Sequence, residues 1–294
     1  MKDGMVKITI DIFSGRENPT VEFDGQELED LRERLAPAGE AKRGAEVLPP
    51  MPTLGYRGLV VEQEGMPLEG LPPAFRITDG MALIGDKAAR LTDVEVEDFV
   101  CGSVPREKIG VDLPLEIKRY RELRNYLLRD RVWIDQSKIP DIVFVKEDCS
   151  CAPVYEPNWW NVSSRQPYNN CYNYATNYRS DTFAQPGKAA GAMYGSLTCT
   201  AVKAGAVADE LIATTSSRCP KEGHLVALVV APGWDFHWYR KGKDRKWTHK
   251  PGGTPVTNLD NSGNVITDPR TADRGPYTDF CCFMIVKHGH IKIK

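Results

Sequence analysis

The chain has no apolar run near the roughly 18 residues needed to cross a bilayer; the longest, Leu225 to Ala231, has the length of a strand. A membrane is therefore not an expected partner. Nor does charge of one sign accumulate. Thirty-eight basic and 40 acidic residues leave a net charge of -2. The counterion-release affinity of a dedicated nucleic-acid binder is missing, so no nucleic acid is expected as a partner. No period of 20 to 50 residues repeats and no tract is of low complexity. Met1-Lys2-Asp3-Gly4-Met5 enters a strand pattern directly, without a charged segment followed by an apolar one. With no conventional signal peptide, the expected location is cytoplasmic, or outside the cell by another export route. No histidine occurs before residue 220, so all five lie in the last quarter of the chain.

At 294 residues, 41% hydrophobic and 27% charged, the chain is long enough to bury a sizeable core, and two domains are expected. The fold class is predicted as α+β. Residues 1–135 form a small antiparallel sheet with helices, and residues 136–294 pack a helix on an antiparallel sheet. Val6 to Phe13 alternates apolar and polar residues as a half-buried strand does, and Ser14-Gly15-Arg16-Glu17-Asn18-Pro19 ends it with turn chemistry. Thr20 to Phe23 reads as a second strand, Gly58 to Val61 and Phe75 to Thr78 as further ones, and Leu48 to Pro52 as a proline-rich loop. Leu28, Leu31 and Leu35 have amphipathic-helix spacing, as do Leu115, Ile117, Tyr120, Leu123, Tyr126 and Leu127 within Pro114 to Arg129. The domain boundary is placed near residues 130 to 150. The first domain gathers no His, Cys, Asp and Glu at a useful spacing and reads as a scaffold or docking domain.

Chemistry is expected in the second half. Asn169-Asn170-Cys171 puts a cysteine behind two good N-caps and ahead of a short helix, where exposed N–H groups lower a thiol pKa and hold an oxyanion. Gln166, five residues upstream, offers a side-chain amide as a second oxyanion donor. The bland alternative is a buried, inert cysteine behind an Asn-rich turn. His224 opens a strand that Pro232-Gly233 turns into the His237 strand, and a second turn brings back Trp247-Thr248-His249. A two-residue turn sets His237 opposite Leu228, on the face of His224 but about 13 Å along the strand. A three-residue turn centred on Gly233 puts the two on opposite faces. A turn centred on Lys243 would set His249 opposite His237. His237 is the favoured base, with His224 the alternative; each could instead be a hydrogen-bonded sheet residue.

A Cys at a helix start followed by a His on an antiparallel sheet resembles the papain-like cysteine hydrolase superfamily. Asn170-Cys171-Tyr172-Asn173-Tyr174-Ala175 is similar to the nucleophile helix of amidase branches such as CHAP, as Gly223-His224-Leu225-Val226-Ala227-Leu228-Val229 is to their histidine strand. His237-x-Tyr239 with Trp247 across a turn resembles the transglutaminase-like branch. The resemblance covers about residues 150 to 250. It implies a thiol hydrolase or acyl transferase acting on a peptide, amide or thioester, with Cys171 as nucleophile, His237 or His224 as base, and no cofactor. An orienting Asp expected after Trp247 is replaced by His249 and Lys250, which leaves His249, Asp235 or Asp260 for that role. Residues 247–280 also look like an uncharacterised bacterial module and are similar to segments of shell-matrix components.

Two competing readings follow from other clusters. The eight cysteines, grouped at Cys149/Cys151 and Cys281/Cys282, are read as thiols first and disulfides second. They lack the C-x2-4-C spacing of a structural zinc site, so no metal is expected. Asp260 to Asn264 with Asp268 misses the EF-hand pattern and reads as a solvated turn. The alternative to an enzyme is a binding or matrix-interaction module whose recognition surface is Trp159, Trp160, Trp234 and Trp238.

Overall fold

The computed structural model describes residues 4–43, 51–65, 67–68, 70–105, 109–110, 112–130, 147–289 and 291–294. The proline-rich loop expected at Leu48 to Pro52 and the boundary expected near 130 to 150 fall largely outside these residues. Two units are present. The first holds residues 1–12, 18–51 and 56–124; the second holds Phe13–Glu17, Pro52–Gly55 and Asn125–Lys294. The class is α+β, with antiparallel sheets and helices in both units.

In the first unit, β1 (Met5–Ile10), β2 (Thr20–Phe23), β3 (Leu59–Glu64), β4 (Ala74–Thr78), β5 (Met81–Ile84) and β6 (Lys87–Arg90) make one sheet in the order β2-β1-β3-β4-β5-β6. Alternation along β1 buries Val6, Ile8 and Ile10, the period-2 pattern of a one-sided core. α1 (Gly25–Leu35) buries Leu28, Leu31 and Leu35 as their spacing predicts. α2 (Val96–Gly102) follows β6, and α3 (Leu113–Asp130) begins in this unit and runs past its last residue, Arg124. The buried stripe of α3 contains Leu113, Ile117 and Tyr120, whereas Leu115 is exposed, two positions out of phase with the 3.6-residue repeat. Asp11 is buried between Arg57 (2.7 Å) and Arg76 (2.6 Å). Burial pushes its carboxyl up, but the two guanidinium groups hold it well below the usual carboxylate range.

In the second unit, β7 (Ile212–Thr214), β8 (His224–Ala231), β9 (Asp235–Lys241), β10 (Trp247–His249) and β11 (Asp279–Val286) pair antiparallel in the order β10-β9-β8-β11-β7. β8 is apolar on both faces because both are covered, and every residue of it is buried. Val226, Leu228, Val230, Phe236, Trp238 and Met284 build one face of the core. α5 (Cys171–Thr176) and α6 (Cys199–Ala208) contribute to that core through Cys171, Tyr172, Ala175, Val202 and Ala206. α4 (Pro157–Trp160) supplies Trp160 to a smaller cluster with Tyr174 and Val256. Gly223, at φ +77°, lets the chain enter β8 where a Cβ would lie 2.0 Å from the Val286 carbonyl oxygen.

The cysteines correct the thiol-first reading. Cys149 bridges Cys219 and Cys199 bridges Cys281, so each sequence cluster gives one half-cystine and keeps one thiol, Cys151 or Cys282. No described helix is long and apolar enough to cross a membrane.

Candidate functional site

Asn170 starts α5. Its side-chain oxygen accepts from the N–H groups of Tyr172 (3.1 Å) and Asn173 (3.2 Å), and Asn173 Oδ1 accepts from the Asn170 N–H at 2.9 Å. This capping box places Cys171 at the first helical position. The thiol there is buried, however, and its Sγ meets the Phe236 carbonyl at 3.9 Å. Burial pushes the Cys171 thiol well above its ordinary range, and the Asp235 carboxylate adds to this. The Trp238 backbone, the Ser14 hydroxyl and Lys250 pull the other way without prevailing. Desolvation is thus the largest influence on the thiol and favours its neutral form.

The turn between β8 and β9 has three residues, Pro232 to Trp234, and sets Val229 opposite His237. His224 and His237 consequently lie on opposite faces. The β9–β10 turn sets His249 opposite Tyr239, one position beyond a turn centred on Lys243. His249 and His237 remain diagonal neighbours on one face. His237 Nε2 lies 2.8 Å from His249 Nδ1, and His249 Nε2 lies 2.9 Å from the Leu259 carbonyl oxygen. That carbonyl can only accept, so His249 carries a proton on Nε2. Burial drives its pKa down to about 4, so at neutral pH Nδ1 is bare and His237 donates to it from Nε2. On the other side, Ser14 Oγ lies 2.7 Å from His237 Nδ1 and accepts from the Gly252 N–H at 3.1 Å. A continuous row results: Cys171 thiol, Ser14 hydroxyl, His237, His249, Leu259 carbonyl.

The other residues singled out by sequence go elsewhere. His224 Nε2 donates to the Ala175 carbonyl at 2.7 Å, and burial lowers its pKa to about 3. It caps the C-terminal end of α5, about 6 Å of helical rise from Cys171. Gln166 Nε2 donates to the Gly253 carbonyl at 3.3 Å. The amides that converge on one carbonyl are instead Asn170 Nδ2 (2.6 Å) and Gln185 Nε2 (2.8 Å), both donating to the oxygen of Gly15. Sequence offered no signal for Gln185, nor for Ser14, whose neighbours read as an ordinary turn.

Asp235 holds the backbone of the turn that carries Ser14. Its carboxylate accepts from the N–H groups of Ser14 (2.6 Å), Gly15 (3.2 Å) and Arg16 (3.1 Å) and from the Tyr277 hydroxyl (2.6 Å). Burial raises its pKa while these donors oppose the rise. Asp260 closes its own loop by accepting from the N–H groups of Ser262, Asn264 and Asp273. Lys250 is buried, and its Nζ donates to the carbonyls of Gln166, Asn169 and Gly252, each at 2.6 Å.

Glu147, Cys149 and Cys219 lie close enough together to resemble a metal centre, but the two sulfurs are bonded to each other. The aromatic surface also needs correcting. Trp160, Trp234 and Trp238 are buried as core, while Trp159, Tyr168 and Tyr178 are exposed. Arg165 stacks over Trp159 at 4.2 Å.

The second unit is thus, by fold and site, a disulfide-bridged α+β body with a closed thiol–hydroxyl–imidazole row in its interior. The chain is 48% identical over 132 residues to the insoluble matrix shell protein 1 of Ruditapes philippinarum, a match spanning 44% of this chain and 87% of that protein. It belongs to the family of that shell matrix protein. No protein-family model and no solved structure matches the chain. The relative corrects the cytoplasmic expectation, since a shell matrix lies outside the cytoplasm.

Proposed function

We propose that this protein is a matrix-interaction protein and that its thiol–imidazole row serves as a fixed internal network. The observation that carries this reading is the state of Cys171, fully enclosed, with burial pushing its thiol toward the neutral form and the Ser14 hydroxyl seated on His237 Nδ1 beside it. Two further features support it: the shell matrix relative, and two disulfides that suit an oxidising surrounding. The exposed Trp159, Tyr168 and Tyr178 are the side chains offered to matrix partners. The test is cosedimentation of the full chain with washed insoluble shell matrix. Retention that drops at least fivefold in Trp159→Ala/Tyr168→Ala is expected; a chain that stays in the supernatant overturns the reading.

A second reading is favoured by one observation, the ordered His237–His249–Leu259 relay beside a capped helix start. It is the papain-like one. After Ser14 leaves, His237 takes the Cys171 proton, the thiolate attacks an amide or thioester carbonyl, and the proton passes to the departing amine or thiol. Water then releases the acyl group from sulfur. Turnover of a model amide or thioester that vanishes in Cys171→Ala supports it; equal rates in the two proteins remove it.

A further inference from the structure

Phe13–Glu17 belongs to the second unit, yet its partners there lie 155 or more positions away in sequence. The manner of holding is that of a bound peptide. One carboxylate, Asp235, reads three consecutive N–H groups, and two side-chain amides from Asn170 and Gln185 read the carbonyl of the middle residue. This is main-chain recognition, a nest of backbone N–H groups around one carboxylate in a segment that bends at residues 14–16. Side-chain selection is also built in. A Cβ on Gly15 would lie 2.4 Å from the Phe236 ring, so only glycine fits the middle position. The Ser14 hydroxyl is required by His237 and the Gly252 N–H. Arg16 donates to the Trp234 carbonyl at 2.6 Å and stacks on Phe13 at 4.5 Å, while the Phe13 ring packs edge-on against Trp234 at 5.8 Å.

We propose that residues Asn170, Gln185, Trp234, Asp235, Phe236 and His237 form a recognition cleft for a Phe-Ser-Gly-Arg peptide segment. In this chain the cleft is filled in cis by Phe13–Arg16. The ligand class is a peptide with serine, an obligatory glycine and arginine in succession, which a free segment of the same sequence satisfies as well as the internal one. The inference goes beyond both readings above, because it concerns backbone capture and asks nothing of the thiol's chemistry.

The thiol nevertheless supplies the readout, since Cys171 is enclosed beside Ser14. Alkylation of each free cysteine in the full chain is followed by peptide mass spectrometry, with and without the synthetic peptide Ile-Phe-Ser-Gly-Arg-Glu-Asn. In Gly15→Ala the internal segment no longer fits, and Cys171 labelling rises at least tenfold while Cys101 is unchanged. The free peptide restores protection in a saturable manner, and its Gly-to-Ala counterpart does not. Arg16→Ala, which removes one half-buried side chain and leaves the backbone intact, gives a smaller rise with the same selective rescue and serves if Gly15→Ala fails to fold. Unchanged Cys171 labelling in Arg16→Ala, or equal protection by the two peptides, overturns the proposal.

Discussion

Nε2 of His237 lies 2.8 Å from Nδ1 of His249, and the Leu259 carbonyl beyond fixes which ring donates. His249→Phe keeps the ring volume but removes the acceptor 2.8 Å from His237 Nε2, which costs about 1–3 kcal/mol. His249→Asn restores an acceptor and recovers part of the loss. Urea unfolding of both variants checks this order; equal stability of His249→Phe and the parent chain would show that the contact is dispensable.

Acid should unfold the protein earlier than its carboxylates require. His224 and His249 protonate near 6.5 in the unfolded chain but only at about 3 and about 4 when buried. Below pH 6.5 the unfolded state therefore binds protons that the native state refuses. The stability these residues contribute is complete above that pH and is lost as pH falls toward 4. At about 1.4 kcal/mol per unit, the two together withdraw at most about 5 kcal/mol by pH 4.5. Asp235, whose pKa burial raises, acts in the opposite sense. Denaturation midpoints at pH 7.5, 6 and 4.5 should fall steadily, with a shallower fall in His224→Gln. A flat profile between 6.5 and 4.5 contradicts the neutral-imidazole assignment.

Reduction should loosen the second unit. Cys149–Cys219 closes a sequence separation of 70 residues and Cys199–Cys281 one of 82. By loop-closure entropy each is worth about 4 kcal/mol. Thermal melts with and without a strong thiol reductant should differ by more than 10 °C, and Cys199→Ala/Cys281→Ala should reproduce about half of that shift. Coincident melts would mean that the crosslinks constrain nothing.

Lys250 fastens two loops, residues 166–169 and 252, through three carbonyls at 2.6 Å. Lys250→Met fits the same space without donors, leaving those carbonyls short of a partner, and should destabilise the protein by about 2–4 kcal/mol. Lys250→Arg should do nearly as much harm, because a planar fork does not match a three-carbonyl cradle. Guanidinium unfolding of the two variants decides; an intact midpoint in Lys250→Met refutes the fastening role.

Native thiol reactivity should follow exposure. Cys151 is exposed and should react first with iodoacetamide at pH 8. Burial raises Cys282, pushes Cys101 up to about 12 and Cys171 higher still, so these three should lag, with Cys171 slowest. Rapid labelling of Cys171 in the untreated chain would show that the interior is open.

Local pattern in the sequence was enough for the elements whose side chains face one core. The alternation of β1, the leucine spacing of α1, the Asn170 cap ahead of Cys171 and the succession of one histidine on each of β8, β9 and β10 all follow from periods of 2 and 3.6 and from turn chemistry. The faces of His224 and His237 were left open because one residue more or less in a turn reverses a strand, and only the three-residue Pro232–Trp234 turn settles it. Cystine pairing, the partner of His237 and the closure of Cys171 depend on residues brought together across 70 to more than 200 positions. Ser14 and Asp235, 221 positions apart, meet through a hydrogen bond that no local pattern encodes. Desolvation then decides the character of the site, because the same cysteine that a helix start would activate in water is kept neutral once the surrounding chain excludes water from it.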